Sequence, residues 1–369
     1  MKYYIIAGEA SGDLHGSNLM KAIVLEDPSA DIRFWGGEKM AAQGGTIVKH
    51  YKELAFMGFW EVLINFKTIL NNLAFCKNDI LRFQPDVLVY IDYPGFNMRI
   101  AQWAKKQGIP NHYYISPQIW AWKENRIKKI KRDLDALYVI LPFEAPYFKE
   151  KHHYNVTYVG HPLIQVIQEE RQKKEMLIHQ IKDSNKPIIA LLPGSRKQEI
   201  NKMMPVFLSV INRFPQYHFV IAGAPGIDPQ WYQKFTIHPA VSLLHNQTYE
   251  LLKNAYAAIV TSGTATLETA LFGVPQMVCY KSSGLSYAIA KRFVQLDYIS
   301  LVNLILQKEV VKELIQKDCT LEMITSTLTN LGEEKVRKQI EVDYQGLKKL
   351  LGEKNASQEV AQAIIAGLQ

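Results

Sequence analysis

Cysteine is scarce and scattered: the chain has three, Cys76, Cys279 and Cys319, without the close pairs of zinc sites or disulfide frameworks. Idle thiols in a reducing compartment are the expectation. Glycine and proline, 21 and 16 of 369 residues, are too few for a collagen-like or low-complexity chain. No uninterrupted apolar run reaches about 18 residues, so no membrane-spanning helix is expected. The opening run Met1–Ala7 meets Gly8 and Glu9 too soon for a secretory leader, which points to the cytoplasm. Neither a GxGxxG fingerprint nor a Walker loop is present, and no internal repeat of short period is visible.

What remains is an ordinary globular composition, 48% hydrophobic and 21% charged, with enough length for two domains. Lys and Arg exceed Asp and Glu by 43 to 35, a net charge of +8. That excess favours anionic partners (phosphorylated substrates, nucleic acid or an acidic membrane face) without choosing among them.

Short β-rich runs alternate with helix-period segments. Lys2–Ala7, Asp31–Trp35, Asp86–Asp92 and Asn111–Ile115 read as buried parallel strands. The rhythm restarts at Pro187–Leu192, His218–Ala222, Val241–Leu244, Ala257–Thr261 and Gln276–Tyr280. Such alternation predicts an α/β protein of two Rossmann-like domains facing a central cleft. The expected division is 1–167, 187–345 and a C-terminal helical segment 346–369, with the charge- and amide-rich Gln168–Lys186 as linker. From Leu304 onward the chain reads as helical, with breaks at Gly332, Gly346 and Gly352. Its final apolar face, Val360, Ala363, Ile364 and Ile365, is expected to return to the first domain or reach a partner subunit.

Open parallel sheets bind ligands beyond the carboxyl ends of their strands, and three strand-to-helix turns there suit anions. Gly8-Glu9-Ala10-Ser11-Gly12-Asp13 follows the first strand, with Ser11 or Asp13 as candidate helix caps. Pro193-Gly194-Ser195-Arg196 puts a glycine, a hydroxyl and a guanidinium at a helix N-terminus, where backbone N–H groups and the dipole favour an anion. Thr261-Ser262-Gly263-Thr264 opens another helix, and Glu268, about one turn in, suits both hydroxyls of a ribose. A fourth strand ends in Asp92, just before Pro94 and Gly95. Partial desolvation there would raise its proton affinity, as a general base for a hydroxyl requires.

Other features carry weaker signals. Asp133-Leu134-Asp135 has the short acidic form of metal-dependent sugar transferases but no further acidic support. His152, His153 and His161 lack partners at ligand spacing and read as surface or turn residues. The apolar segment 54–70 fits a core helix, an acyl channel or a membrane-dipping surface. Trp120 and Trp122 lead into Lys123, Arg126, Lys128, Lys129, Lys131 and Arg132, a cluster suited to a lipid headgroup layer or a phosphorylated ligand.

Taken together, the chain resembles the lipid A disaccharide synthases, inverting GT-B-type glycosyltransferases. The resemblance rests on Gly8–Asp13, Ile91–Asn97, Ser116–Trp122, Leu192–Arg196, Ser262–Glu268 and Asp297–Asn303, in order along nearly the whole sequence. It implies transfer of 2,3-diacylglucosamine from its UDP derivative to the 6-hydroxyl of 2,3-diacylglucosamine 1-phosphate, giving a β-1,6-linked disaccharide and UDP. By resemblance, Asp92 is the catalytic base. Gly194, Ser195, Arg196 and Glu199, with Ser262, Gly263, Thr264, Thr266, Glu268 and Asn303, form the nucleotide site. Glu9, Ser11, Gly12 and Asp13 approach the acceptor or the sugars. No metal or other cofactor is implied, and no nucleic acid. Peripheral contact with the anionic cytoplasmic face of a Gram-negative inner membrane is implied, as is a homodimer with exchanged C-terminal segments. Gly95 stands where some relatives carry a second aspartate, and Val302 replaces a common proline before Asn303.

Three other readings stay open on the residues alone. A UDP-sugar 2-epimerase of the same fold would keep the nucleotide loops but needs no acyl surface like 54–70. A non-catalytic basic adaptor at the membrane surface would tolerate Asp92→Asn. A nucleic-acid-binding protein has only the net charge in its favour, with no motif beside it.

Overall fold

The computed structural model describes residues 1–54, 66–173, 185–282 and 296–368. They form two compact units, Met1–Pro162 with Glu353–Gln369, and Leu163–Gly352. The divisions fall at 162 and 352, so the helix Leu163–Gln172 belongs to the second unit and the final helix to the first. Of the expected linker, 174–184 lie outside the described residues, as do 55–65 of the apolar segment 54–70. Ile69 and Leu70 of that segment sit on the helix Phe66–Phe83, where Ile69 packs on the core and Leu70 is exposed.

Among the described residues the first unit holds seven parallel strands: β1 (Lys2–Ala7), β2 (Asp31–Gly36), β3 (Thr46–His50), β4 (Val87–Ile91), β5 (Asn111–Tyr114), β6 (Ala136–Val139) and β7 (Thr157–Tyr158). Their spatial order is β3-β2-β1-β4-β5-β6-β7. Period-2 alternation splits each strand between two cores. Tyr3, Ile5 and Ala7 of β1 join Val87, Val89 and Ile91 of β4 in one, while Tyr4 and Ile6 join Leu88 and Tyr90 in the other. Burial on both faces is why these strands read as continuous apolar runs.

The second unit holds β8 (Ile188–Leu192), β9 (His218–Gly223), β10 (Val241–His245), β11 (Ala255–Val260), β12 (Gln276–Tyr280) and β13 (Lys312–Ile315), all parallel. Their order is β10-β9-β8-β11-β12-β13. The strand β13 corrects the reading of a wholly helical tail after Leu304. It is an edge strand with two apolar residues, Leu314 and Ile315, too few to show a period. Gly346 is no break either, since it lies inside the helix Glu334–Leu351. Gly352 does end that helix, at φ +71°.

The last helix, Ala356–Leu368, returns to the first unit. Ala356, Val360, Ala361 and Ile364 make one buried stripe at helical spacing, set against the helix Ala10–Glu26. Gln362 Nε2 donates to Glu26 at 2.9 Å at the rim of this contact. Among the described residues no helix is long and apolar enough to cross a membrane. Cys279 and Cys319, distant in sequence, are neighbours in space. Both are buried, their thiols interact, and Cys319 Sγ donates to the Leu314 carbonyl at 2.9 Å.

Candidate active site

Each sheet reverses its strand order once, between β1 and β4 in the first unit and between β8 and β11 in the second. Loops leaving a sheet there diverge to opposite faces and leave room for a ligand at the carboxyl edge. Ala7 pairs with Ile91, so Gly8 and Asp92 emerge side by side. Leu192 pairs with Val260, and Thr261 N donates to the Leu192 carbonyl at 3.0 Å, so Pro193–Arg196 and Thr261–Thr264 do the same. All four turns singled out in the sequence therefore stand at the reversal points of their own sheets.

At the first reversal, Tyr93 lies over Gly8: a β-carbon on Gly8 would stand 2.3 Å from the ring. Asp92 and Tyr93 both hold left-handed backbone, at φ +45° and +51°. The Asp92 carboxylate is largely removed from water, and burial pushes its pKa above the ordinary aspartate value, against the opposing pull of a backbone hydrogen bond from Tyr93. Such a carboxylate binds a proton more readily than a solvated one, as a general base must. Gly95 is exposed, and a β-carbon there would meet nothing within 4 Å.

The turn Gly8–Asp13 divides by burial. Glu9 occupies the N-cap without a side-chain capping bond, which corrects the expectation that Ser11 or Asp13 caps this helix. Ser11 is exposed and Glu9 half-buried, whereas Gly12 packs close to the Ala7 methyl, its missing β-carbon 3.2 Å away. Asp13 is buried, and its carboxylate accepts the N–H groups of Gly37 (2.7 Å), Lys39 (3.1 Å) and Met40 (3.1 Å). It anchors the short turn of helix after β2 instead of facing a sugar.

At the second reversal, Gly194 takes φ +105°, and Ser195 and Arg196 are exposed ahead of the helix Lys197–Leu208. Glu199 folds back over this loop and accepts the Ser195 N–H at 3.3 Å. Gly263 caps the helix Thr264–Leu271 at φ +77°, with Ser262, Gly263 and Thr264 solvent-accessible. Glu268 Oε1 accepts the Tyr249 hydroxyl at 2.7 Å, and burial raises its pKa. Tyr249 was not singled out in the sequence, because it comes from the separate helix Thr248–Asn254.

Two expected nucleotide residues are framework. Thr266 is buried, donating to the Gly263 carbonyl at 2.9 Å and accepting Leu301 N at 3.3 Å. Asn303 is fully buried with both ends of its amide occupied. Its Oδ1 accepts Val310 N and Val311 N, and its Nδ2 reaches the Val311 carbonyl and Glu313. That set is the whole hydrogen-bonding capacity of an amide, so Asn303 shapes the turn Ser300–Glu313 and has none left for a ligand.

The remaining motifs resolve similarly. Asp133 takes a bidentate Arg132 (2.6 and 2.7 Å), and Asp135 takes Lys105 and the Asn111 N–H, so both carboxylates of the short acidic motif are engaged by the protein. Among the described residues no His, Cys, Asp and Glu cluster could hold a metal ion. His161, expected at a surface or turn, is instead buried, and burial beside His15 lowers its pKa to about 3. Trp120 is tied inward, its Nε1 donating to the buried Glu144 at 3.1 Å. Trp122 points out, with Lys123 Nζ and the Arg126 guanidinium 4.2 and 5.1 Å from its ring. Lys128, Lys129, Lys131 and Arg132 are exposed beyond it.

Known proteins share both this sequence and this architecture. The family model for Lipid-A-disaccharide synthetase matches residues 3–366. A lipid-A-disaccharide synthase of Syntrophus aciditrophicus is 38% identical over 367 residues, spanning 97% of this chain and 95% of its own. One from Geobacter metallireducens is 36% identical over 371 residues, spanning 98% and 96%. Among solved structures, the kitacinnamycin glycotransferase superposes with TM-score 0.68 at 13% identity, covering 100% of this chain and 99% of its own. UDP-GlcNAc 2-epimerase from Neisseria meningitidis, solved with UDP-GlcNAc, gives 0.67 at 14%, covering 99% and 100%. At those identities the structures establish the fold alone, two parallel α/β units of the GT-B type.

Proposed function

The chain belongs to the Lipid-A-disaccharide synthetase family and is a glycosyltransferase of lipid A biosynthesis; we propose that Asp92 is its general base and that the second unit holds the nucleotide. The donor in this reading is UDP-2,3-diacylglucosamine and the acceptor 2,3-diacylglucosamine 1-phosphate. The acceptor 6-hydroxyl oxygen attacks the anomeric carbon of the donor while the bond from that carbon to the diphosphate oxygen breaks. The hydroxyl proton passes to the Asp92 carboxylate, and UDP leaves with the bonding electrons. Attack opposite the leaving group gives the β-1,6 linkage.

The observation that carries this reading is the desolvated carboxylate of Asp92 at the reversal point of its sheet, with raised proton affinity. Leaving-group charge in turn calls for donors preset where it develops. The exposed Gly194-Ser195-Arg196 turn supplies backbone N–H groups at a helix N-terminus and a guanidinium. Ser262, Gly263 and Thr264 offer a second set, and in this reading Glu268 accepts from the ribose hydroxyls. Ser11 and Glu9, the accessible polar members of their turn, approach the sugars in this reading. No metal is needed in this reading, because Arg196 and helix N-termini meet the charge of the diphosphate.

An acylated substrate resides in a membrane, so the protein works at the anionic cytoplasmic face of the inner membrane. The exposed cationic helix beside Trp122 supports that location, since lysines and a tryptophan together suit a headgroup layer. The epimerase reading is not favoured: epimerase structures of this fold are 11–14% identical to the chain, whereas lipid-A-disaccharide synthases are 35–38% identical. The adaptor reading is not favoured either.

Purified protein, mixed with both acylated substrates in detergent and excess chelator, tests the proposal. Equimolar UDP and disaccharide phosphate are expected. A folded, UDP-binding protein that forms no disaccharide would refute it.

A further inference from the structure

We infer that Tyr113 and Asn97 are positioning residues for Asp92, locking its backbone carbonyl so that a left-handed turn presents the carboxylate. This rests on the assignment of Asp92 as base. The Tyr113 hydroxyl donates to the Asp92 carbonyl at 2.6 Å, and Asn97 Nδ2 donates to the same oxygen at 2.7 Å. A carbonyl oxygen has two lone pairs, and both are taken. The Asp92 N–H donates to the Tyr114 carbonyl at 3.1 Å, so both polar groups of its backbone are fixed.

Such fixing is needed because the conformation is unfavourable. Two successive non-glycine residues, Asp92 and Tyr93, stand in the left-handed region. There the β-carbon of an L residue crowds its own carbonyl, and such strain persists only where the surroundings over-determine it. An ordinary extended residue after β4 would send its side chain elsewhere, because direction follows φ and ψ. Beyond the two donors, Phe96 N and Asn97 N both close on the Tyr93 carbonyl, at 3.2 and 3.1 Å, at the start of the helix Pro94–Lys106. The donors come from separate elements, Tyr113 from β5 and Asn97 from this helix. Both are fully buried, so neither is placed to touch a substrate.

Tyr113 is suited to the task. Burial, and secondarily the charge of Asp92, hold its pKa well above the usual tyrosine range, so the hydroxyl stays protonated and remains a donor at any working pH. The carboxylate it positions is the desolvated one. Releasing the carbonyl lets the turn relax and the carboxylate regain water, which returns its pKa towards the ordinary value.

The test compares Tyr113→Phe with Tyr90→Phe and Asp92→Asn in the full-length protein. Tyr90 is an equally buried tyrosine of the same core, 5.7 Å from the Tyr113 ring, and its hydroxyl donates at 2.7 Å to Asn111 instead of Asp92. Tyr113→Phe is expected to lower kcat roughly tenfold or more, with KM for the UDP-sugar little changed. It is also expected to move the acid limb of the pH–rate profile to lower pH. Tyr90→Phe should lower Tm comparably while leaving the limb in place. Should Tyr113→Phe not fold, Asn97→Ser carries the same expectation. If Tyr113→Phe and Tyr90→Phe lose rate and Tm in step with the limb unmoved, the role is merely structural and the inference falls. Wild-type turnover in Asp92→Asn would instead overturn the base assignment on which it rests.

Discussion

The Tyr249 hydroxyl stands 2.7 Å from Oε1 of Glu268 and donates to it, joining two helices at the carboxyl edge of the second sheet. Burial raises the pKa of that carboxylate, and the Tyr249 hydrogen bond works against the rise. A buried carboxylate with one donor in place gains most from further donors, and a ribose brings two hydroxyls.

Glu268→Gln is therefore expected to weaken UDP binding roughly tenfold or more, since a hydrogen bond to a charged group contributes about 1.5–3 kcal/mol. The ribose assignment has its own check in calorimetry with 2′-deoxy-UDP. Wild type should bind the deoxy ligand more weakly than UDP, and Glu268→Gln should scarcely distinguish them. Equal discrimination by both proteins would place Glu268 away from the ribose.

Gly194 lies in the turn Pro193–Arg196, which the proposal assigns to the diphosphate. At φ +105° an L side chain is strained, and its β-carbon would stand 2.1 Å from Glu199 Oε2. Gly194→Ala should cost about 1–3 kcal/mol and displace the turn. A UDP affinity reduced at least about tenfold, with the fold retained by circular dichroism, is the expected result. Unchanged affinity would show that the turn does not hold the nucleotide.

Asp13 and Asn303 are expected to behave as framework. Asp13→Asn replaces an acceptor of three N–H groups by an amide that brings donors of its own. Roughly 3 kcal/mol of stability should be lost, and Asn303→Ala should lose a similar amount by stranding Val310 and Val311 N–H groups. Urea unfolding measures both, and KM of the folded fraction should stay near wild type. A large KM effect with unchanged stability would return either residue to the ligand.

Glu144 gives a pH dependence of defined sign. Its carboxylate accepts Trp120 Nε1 and the N–H groups of Ile140 and Leu141, yet burial raises its pKa from 4.5 to about 7. The folded state then binds more protons than the unfolded state between pH 4.5 and 7, so this group's contribution to stability falls as pH rises through that window. The full interval corresponds to about 3 kcal/mol. The difference in unfolding free energy between wild type and Glu144→Gln should shift against wild type from pH 4.5 to 7.5. A difference independent of pH would refute it.

How far the sequence reveals this protein depends on how local each determinant is. β1 and β12 were readable to the residue because both are short, mostly buried runs between turn residues. The edge strands β3, β7 and β13 were not, because few buried apolar residues leave no pattern, whereas the edge strand β10, with Val241, Leu243 and Leu244, was read to within one residue. Gly194, Arg196 and Glu268 could be singled out since a glycine turn before a helix is contiguous in sequence. The true duties of Asp13 and Asn303 were hidden, because their partners are backbone groups of other turns. Tyr113 and Tyr249 were missed for a related reason: each reaches its carboxylate's residue from a neighbouring element, and only strand pairing and helix packing bring them there.

The central claim is that Asp92 takes the proton of the acceptor hydroxyl, and single-turnover transfer by Asp92→Asn tests it most directly. Asparagine keeps the shape and the backbone clamp but cannot accept that proton. With both substrates saturating, the transfer rate should fall by about 10² or more, while UDP binding stays within twofold of wild type. Transfer at the wild-type rate by the folded variant would contradict the account and place the base elsewhere.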